Sequence, residues 1–243
     1  HAVREVMQGQ LAQALRDDLA WAFEAHQVGG AYTPDPASAG RRSLANLALA
    51  MLCLDAVKSG DAVWPGRAYQ RVKDAGNMTD RLGALAALVD SHADLADRAL
   101  AHFHARLRHE PLVVDKWFAL QARMPERADG RVFARVKQLL QHPDFSLKNP
   151  NRARSLIQAF CGGNPAAFHR SDAAGYVFWS DAVREVDGIN SQLSSRMARV
   201  MDRWNHLAEP YRSAAREAIA RVAAKQDLSA GVREIVEHAL ALG

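Results

Sequence analysis

Cysteine is nearly absent from this chain: Cys53 and Cys161 are the whole complement of 243 residues. That excludes a disulfide-stapled scaffold, and no Cys/His cluster has the spacing of a zinc site. Both cysteines lie in apolar, helix-like surroundings, which predicts two buried thiols in a reducing compartment. Spacing alone leaves open whether the two pair with each other. Long apolar runs are missing too. The longest, 44–57, is interrupted by Asn46 and Asp55 and is too short to span a bilayer. The N-terminus, His-Ala-Val-Arg-Glu-Val-Met-Gln, has no apolar signal region and no initiator Met. It reads as mid-helix, which implies a chain that starts inside a larger protein, with His1 a tag remnant. Charge of one sign is also lacking. Thirty-one Lys+Arg face 27 Asp+Glu, for a net charge of +4, and the arginines are spread along the sequence. This argues against a dedicated nucleic-acid module.

The catalytic inventory is equally bare. There is no Gly-rich phosphate loop and no Gly-x-Ser-x-Gly elbow. A zinc-peptidase motif needs two His one helical turn apart on one face. His109-Glu110 comes nearest, but Pro111 follows and no second His stands at the right distance. His102 and His104 are two apart and point to different faces of a helix.

What is present is helix. Apolar residues make up 49% and charged residues 24%, the balance of an ordered globular protein. The 3.6-residue period runs through almost every segment. It predicts helices over 3–26 (Val3, Val6, Leu11, Leu15, Leu19 and Phe23 near one face), 41–58, 67–75, 79–91 with Thr79 as N-cap, 94–108 and 113–122. Further helices are expected over 129–141, from Asn149 to Gly162-Gly163, from Asn164-Pro165 onward, and over 174–186, 190–206, 210–225 and 229–242. Tyr32–Ala39, with Pro34 and Pro36, reads as a loop. No segment reads as a strand, and Leu112-Val113-Val114 is too short to be one. The expected fold is therefore all-α, a superhelical solenoid of stacked antiparallel helix pairs of the armadillo or HEAT kind. It occupies residues 1–243 as one domain, although no clean repeat of fixed period is visible.

The most distinctive stretch is 143–169. It carries two Asn-Pro helix starts, Asn149-Pro150 and Asn164-Pro165, around one amphipathic segment. Asn supplies a capping side chain, Pro suits the first helical position, and the glycines stop the segment between them. Asp115-Lys116-Trp117-Phe118 reads as a helix whose rings pack inward while Asp115 favours the helix N-terminus. Asn77-Met78-Thr79-Asp80 reads as a turn and cap. Arg152 and Arg154 can pair with acids of a neighbouring domain, or stay intramolecular or solvated. Gln192 and Arg196, four apart, share one helical face.

In this order and approximate spacing, several segments resemble bacterial aminopeptidase N, a zinc-dependent alanyl aminopeptidase of the gluzincin group. They are Val114-Asp115-Lys116-Trp117-Phe118-Ala119-Leu120-Gln121-Ala122, Asn149-Pro150-Asn151-Arg152 and Asn164-Pro165-Ala166-Ala167-Phe168-His169. Asn77-Met78-Thr79-Asp80, Leu139-Leu140-Gln141-His142, Arg154-Ser155-Leu156-Ile157, Gly175-Tyr176 and Ser195-Arg196 support the match, which runs from about residue 40 to the C-terminus. The resemblance implies the C-terminal helical domain of that enzyme without its first helices, a superhelical bowl that closes over a catalytic domain upstream. It implies no zinc ligand and no catalytic residue in this segment, with one zinc ion held in the upstream part of a cytoplasmic enzyme that trims short peptides. It further implies that Gln192 and Arg196 face the substrate side of the chamber, and that neither nucleic acid nor membrane is a partner. The competing expectation is a stand-alone helical-repeat scaffold that binds a protein in its groove.

Overall fold

Three helices among the described residues begin with a capping Asp or Asn followed by proline: Asp35-Pro36, Asn149-Pro150 and Asn164-Pro165. In each, the first side chain accepts a hydrogen bond from a backbone N–H of the opening turn, and proline fills a position with no intrahelical donor to lose. Asp35 accepts from the Ser38 N–H at 2.9 Å and from the Thr33 hydroxyl at 2.7 Å, bonds that hold its carboxyl well below the usual carboxylate range. The first of the three corrects the sequence reading. Pro36 belongs to a helix that starts five residues before Arg41, not to a loop ending at Ala39.

The computed structural model describes residues 2–127 and 130–242. Every regular element among them is helical. The chain divides into two compact units, His1–Val114 and Asp115–Gly243. The first unit holds α1 (Ala2–Ala14), α2 (Arg16–Ala25), α3 (Pro36–Ser59), α4 (Val63–Asp74), α5 (Met78–Ser91) and α6 (Ala96–Leu107). The boundary falls inside α7 (Pro111–Ala122). The second unit continues with α8 (Arg131–Leu139), α9 (Pro150–Ala153), α10 (Ala159–Gly163), α11 (Pro165–Phe168) and α12 (Ala174–Asp187). It closes with α13 (Ser191–Ala198), α14 (Tyr211–Ala223) and α15 (Ala230–Ala241). His1, and Asp129 at the expected start of the 129–141 helix, lie outside the described residues.

In the first unit α3 is the central helix, packed by α1, α2, α4 and α5. Its inward face is Ala45, Ala48, Leu49, Leu52, Cys53 and Ala56, set against Ala84, Leu85, Ala87 and Leu88 of α5. Alternating Ala and Leu lets the two backbones approach while the larger side chains fill the space between them. Cys53 is a free thiol within this core, and burial pushes it up to about 12. Asn77, not Thr79, caps α5, by accepting from the Asp80 N–H at 2.9 Å. Arg81, one turn on, donates to the carbonyls of Val72, Lys73 and Ala75 and so closes the C-terminal end of α4.

Two long helices expected from the period are broken. The segment 3–26 kinks at Leu15, where φ and ψ are −104° and 17°, and becomes α1 and α2. Its buried positions also differ from the apolar face expected. Gly9 and Ala12 are buried in α1, whereas Val3, Val6, Leu11 and Leu15 are exposed. The segment 190–206 becomes α13, a 3₁₀ turn at Arg199–Met201 and a second at Trp204–His206. No proline or glycine marks either break, so periodicity had nothing to detect. At the second, the Trp204 indole N–H donates to the Ala239 carbonyl at 2.9 Å, a contact made across 35 residues.

The second unit has an aromatic core. Phe133 stacks on Phe160 at 5.6 Å, and Phe168 and Phe178 meet Phe160 edge to face. Cys161 is buried beside them as a free thiol, its pKa raised by burial. Both thiols are therefore buried and unpaired, as their surroundings in the sequence suggest. No helix among the described residues is long and apolar enough to cross a membrane.

Candidate functional site

The Asn-Pro segment proves to be a structural joint. Asn149 caps α9 by accepting from the N–H groups of Asn151 and Arg152 at 3.1 and 3.2 Å. The helix then widens into a π turn at Arg154–Gln158 before α10, a turn the sequence does not announce. Arg152 points inward. Its Nε donates to Asp115 at 2.7 Å, Nη1 donates to the Asp144 carbonyl at 2.7 Å, and the guanidinium lies 5.0 Å from the Phe118 ring centroid. The ion pair is buried, and Trp117 and Phe118 are buried with it. Arg152 is thus intramolecular, and Arg154 donates to Asn151 at 2.6 Å. Asn164 works in two directions. It accepts from the Ala167 N–H and donates to the carbonyls of Ala122 and Met124, tying the start of α11 to the end of α7. Gly175 completes the joint, because a Cβ there would overlap the Phe168 carbonyl oxygen. Beside it, the His169 ring bonds the Tyr176 hydroxyl at 2.9 Å, and burial lowers the pKa of the imidazole.

The open surface of the second unit lies elsewhere, between α13 and α15. Asn190 caps α13 by accepting from the Leu193 N–H at 2.9 Å. Leu193, Ser194, Met197 and Ala198 face inward, and Ser194 donates to the Val183 carbonyl at 2.8 Å. That register turns Gln192, Ser195, Arg196 and Arg199 outward. On α15, Val232, Val236 and Ala239 face the core. Both ends of α15 are fixed: Asp187 accepts from the backbone and hydroxyl of Ser229, and Trp204 bonds Ala239. At Gly231 the two helices leave little room, since a Cβ there would stand 3.0 Å from the Ser195 hydroxyl oxygen.

Between them is an open groove of about 470 Å³. Arg196 and Arg199 line one side, and Glu234, His238, Ile235 and Leu242 the other. Arg199 pairs with Asp202 at 3.5 Å. Arg196 is exposed and has no hydrogen-bond or ion-pair partner among the described residues. Of the two residues singled out in the sequence, Arg196 lines the groove. Gln192 is exposed one turn earlier on the same face and is not part of the lining. Sequence reasoning missed the α15 wall. Its signal was the spacing of Glu234, Ile235, His238 and Leu242, which reads as an ordinary solvated face until α13 is placed opposite.

The arrangement suits a ligand with an anionic or carbonyl group at one end and an apolar body. Arg196 offers a planar donor fork, and Ile235 and Leu242 offer apolar surface. It contains no nucleophile paired with a base. Within either unit, the described residues bring together no three His, Cys, Asp or Glu side chains close enough to share an ion. Neither unit by itself therefore fits a zinc centre.

Residues 1–241 match a family model described as a domain of unknown function, DUF3458_C, with ARM repeats. The chain is 35% identical over 240 residues to the aminopeptidase N of Caulobacter vibrioides, covering 99% of this chain and 27% of that protein. It is 33% identical over 239 residues to the aminopeptidase N of Escherichia coli, covering 98% and 27%. Among solved structures, Legionella pneumophila aminopeptidase A in complex with aspartic acid matches with a TM-score of 0.85 at 26% identity, over 99% of this chain and 28% of that one. The chain spans about a quarter of the length of the relatives it matches, in their C-terminal part.

Proposed function

The chain belongs to the DUF3458_C family of ARM-repeat domains, and from that premise we propose that it is the C-terminal capping domain of a zinc-dependent aminopeptidase N. The observation that carries this reading is the match of nearly the whole chain to the C-terminal part of that enzyme in three bacteria, at 31 to 35% identity. The partner is the catalytic domain upstream in the same polypeptide, and the substrates are short peptides that lose N-terminal residues. The zinc ion sits in that upstream domain, where a bound metal activates water for attack on the first peptide bond. This segment contributes no ligand to it. The enzyme works in the cytoplasm, in keeping with two free, buried thiols.

The residues of this chain bind and orient. Arg196 has its fork free to pair with the carboxylate or a carbonyl at the far end of a peptide. Gln192, one turn earlier, donates to or accepts from the peptide backbone. Arg199, held by Asp202, adds positive potential without being the primary contact.

The test assays the isolated chain and the full-length enzyme on an alanine amide, with and without added zinc. Turnover is expected from the full-length enzyme alone. Zinc-dependent turnover by the isolated chain would overturn the reading. A stand-alone scaffold would leave both silent.

A further inference from the structure

The groove between α13 and α15 holds opposite charges that neither wall neutralises. Arg196 on α13 and Glu234 on α15 are both exposed, and neither has a hydrogen-bond or ion-pair partner among the described residues. They do not reach each other either, because each rises from a helix fixed in place. Ser194 ties α13 to the Val183 carbonyl, and Asp187 and Trp204 hold the two ends of α15. The other charges on these walls are paired, Arg199 with Asp202 at 3.5 Å and Arg233 with Glu237 at 3.6 Å. His238, one turn after Glu234, is exposed in the same lining. Ile235 and Leu242 place apolar surface along the Glu234 wall.

Charge matching chooses the ligand. With His238 neutral, the lining carries the cations Arg196 and Arg199 and the carboxylates Asp202 and Glu234. A ligand with a carboxylate alone would satisfy Arg196 and set a further anion in front of Glu234. A ligand with a carboxylate and a cation some bonds apart satisfies both walls and leaves the groove neutral. In a peptide whose N-terminal residue is held by the catalytic domain, that cation is a side chain. Lysine and arginine carry it on a methylene stem, which suits the strip of Ile235 and Leu242.

We propose that Glu234 selects a basic side chain, lysine or arginine, on the C-terminal residue whose carboxylate Arg196 holds. This rests on the reading above, that the chain lends a peptide site to an aminopeptidase, and it adds which peptides that site favours. Arg196 serves every short peptide alike, because each ends in a carboxylate. Glu234 is what separates one peptide end from another. The groove, about 470 Å³, is in the size range of small-ligand sites.

The test compares kcat/KM of the full-length enzyme on Ala-Ala-Lys and on Ala-Ala-norleucine, which keeps the stem and lacks the ammonium. The readout is the initial release of alanine. The ratio of two substrates on one preparation does not depend on how much of the enzyme is folded. The parent should favour the lysine peptide by about fivefold, the effect of one exposed ion pair. Glu234→Gln should bring the ratio close to one, and Glu234→Lys should turn the preference toward Ala-Ala-Glu. Equal values for the lysine and norleucine peptides in the parent would overturn the proposal and leave the enzymatic reading standing. A lysine preference that survives Glu234→Gln would place the selecting acid elsewhere and overturn it as well. No turnover of either peptide by the full-length protein would sink the enzymatic reading, and this proposal with it.

Discussion

The joint at residues 143–176 and the groove between α13 and α15 use the same kinds of side chain to opposite effect. In the joint, Arg152 and Asn164 are buried, and each satisfies backbone carbonyls or a carboxylate of another segment. In the groove, Arg196 is exposed and Gln192 stands beside it on the same face. Arginine held by its own fold is a structural part, and arginine left open on a fixed helix is available to a ligand. The two regions should therefore separate cleanly, with substitutions in the joint changing stability and substitutions in the groove changing binding.

The strongest test of that separation is Gly175→Ala. Its Cβ would collide with a backbone oxygen that cannot swing aside, so the second unit must shift as a whole. We expect little soluble protein, and a lost cooperative transition in whatever is recovered. A melting curve like that of the parent would mean the joint is looser than its packing indicates. Next comes Arg152→Ala, which leaves Asp115 charged, buried and unpaired. Breaking a buried pair from one side costs about 3–5 kcal/mol, on the order of 10 °C in Tm for a chain of this size. Asp115→Asn combined with Arg152→Met should recover part of the loss, since no uncompensated charge remains, and a double-mutant cycle by urea unfolding measures how much.

Acid gives a smaller effect at the joint. Burial lowers the His169 pKa in the folded state below its unfolded value. The unfolded chain then binds the proton more readily, so the stability His169 contributes is full above about pH 6.5 and is lost as pH falls below it. Burial raises the Asp90 carboxyl to about 6, which opposes this over the same range. The His169 part is therefore read as the difference in urea midpoint between the parent and His169→Gln from pH 7.5 to 5, and that difference should grow in the variant's favour as pH falls. A constant difference would assign the acid sensitivity to other groups. The smallest change in stability belongs to the groove. Arg196→Ala removes an exposed side chain with no partner among the described residues, and Tm should move by no more than about 1 °C. In the full-length enzyme the same substitution should reduce kcat/KM for short free peptides by about tenfold, the loss of one charge-assisted contact. A chromogenic amide without a carboxylate should be affected far less. Equal losses on both substrates would break the assignment of Arg196 to the far end of the peptide.

Much of the joint was legible because its signals are local. Asn149-Pro150 and Asn164-Pro165 each contain their own cap and their own helix start, and both occur where the sequence puts them. The match to aminopeptidase N was legible for the same reason, through short segments kept in order. Overlapping caps were less so. Asn77 and Thr79 are both competent N-caps, and the choice of Asn77 follows from where Asp80 and Arg81 must reach to close α4. The kink at Leu15 and the 3₁₀ turns after α13 left no trace, since their residues are ordinary helix formers. Of the groove, Arg196 was visible only through the resemblance, and the α15 wall was not visible at all.

By itself the sequence determined that this chain is helical, where most helices begin, and that no segment carries a known catalytic signature. Those properties depend on neighbours within a turn or two, namely the apolar period, the capping side chains and the positions of proline and glycine. The tertiary structure decided which apolar face of α1 is buried and which is bare. It decided that Arg152 turns inward while Arg196 faces out, and that Glu234, Ile235 and His238 stand across a groove from α13. Each of these is set by a helix tens of residues away, through contacts such as Gly9 with Lys58, Arg152 with Asp115 and Gly231 with Ser195. Periodicity along one helix names its faces but not the partner that covers each.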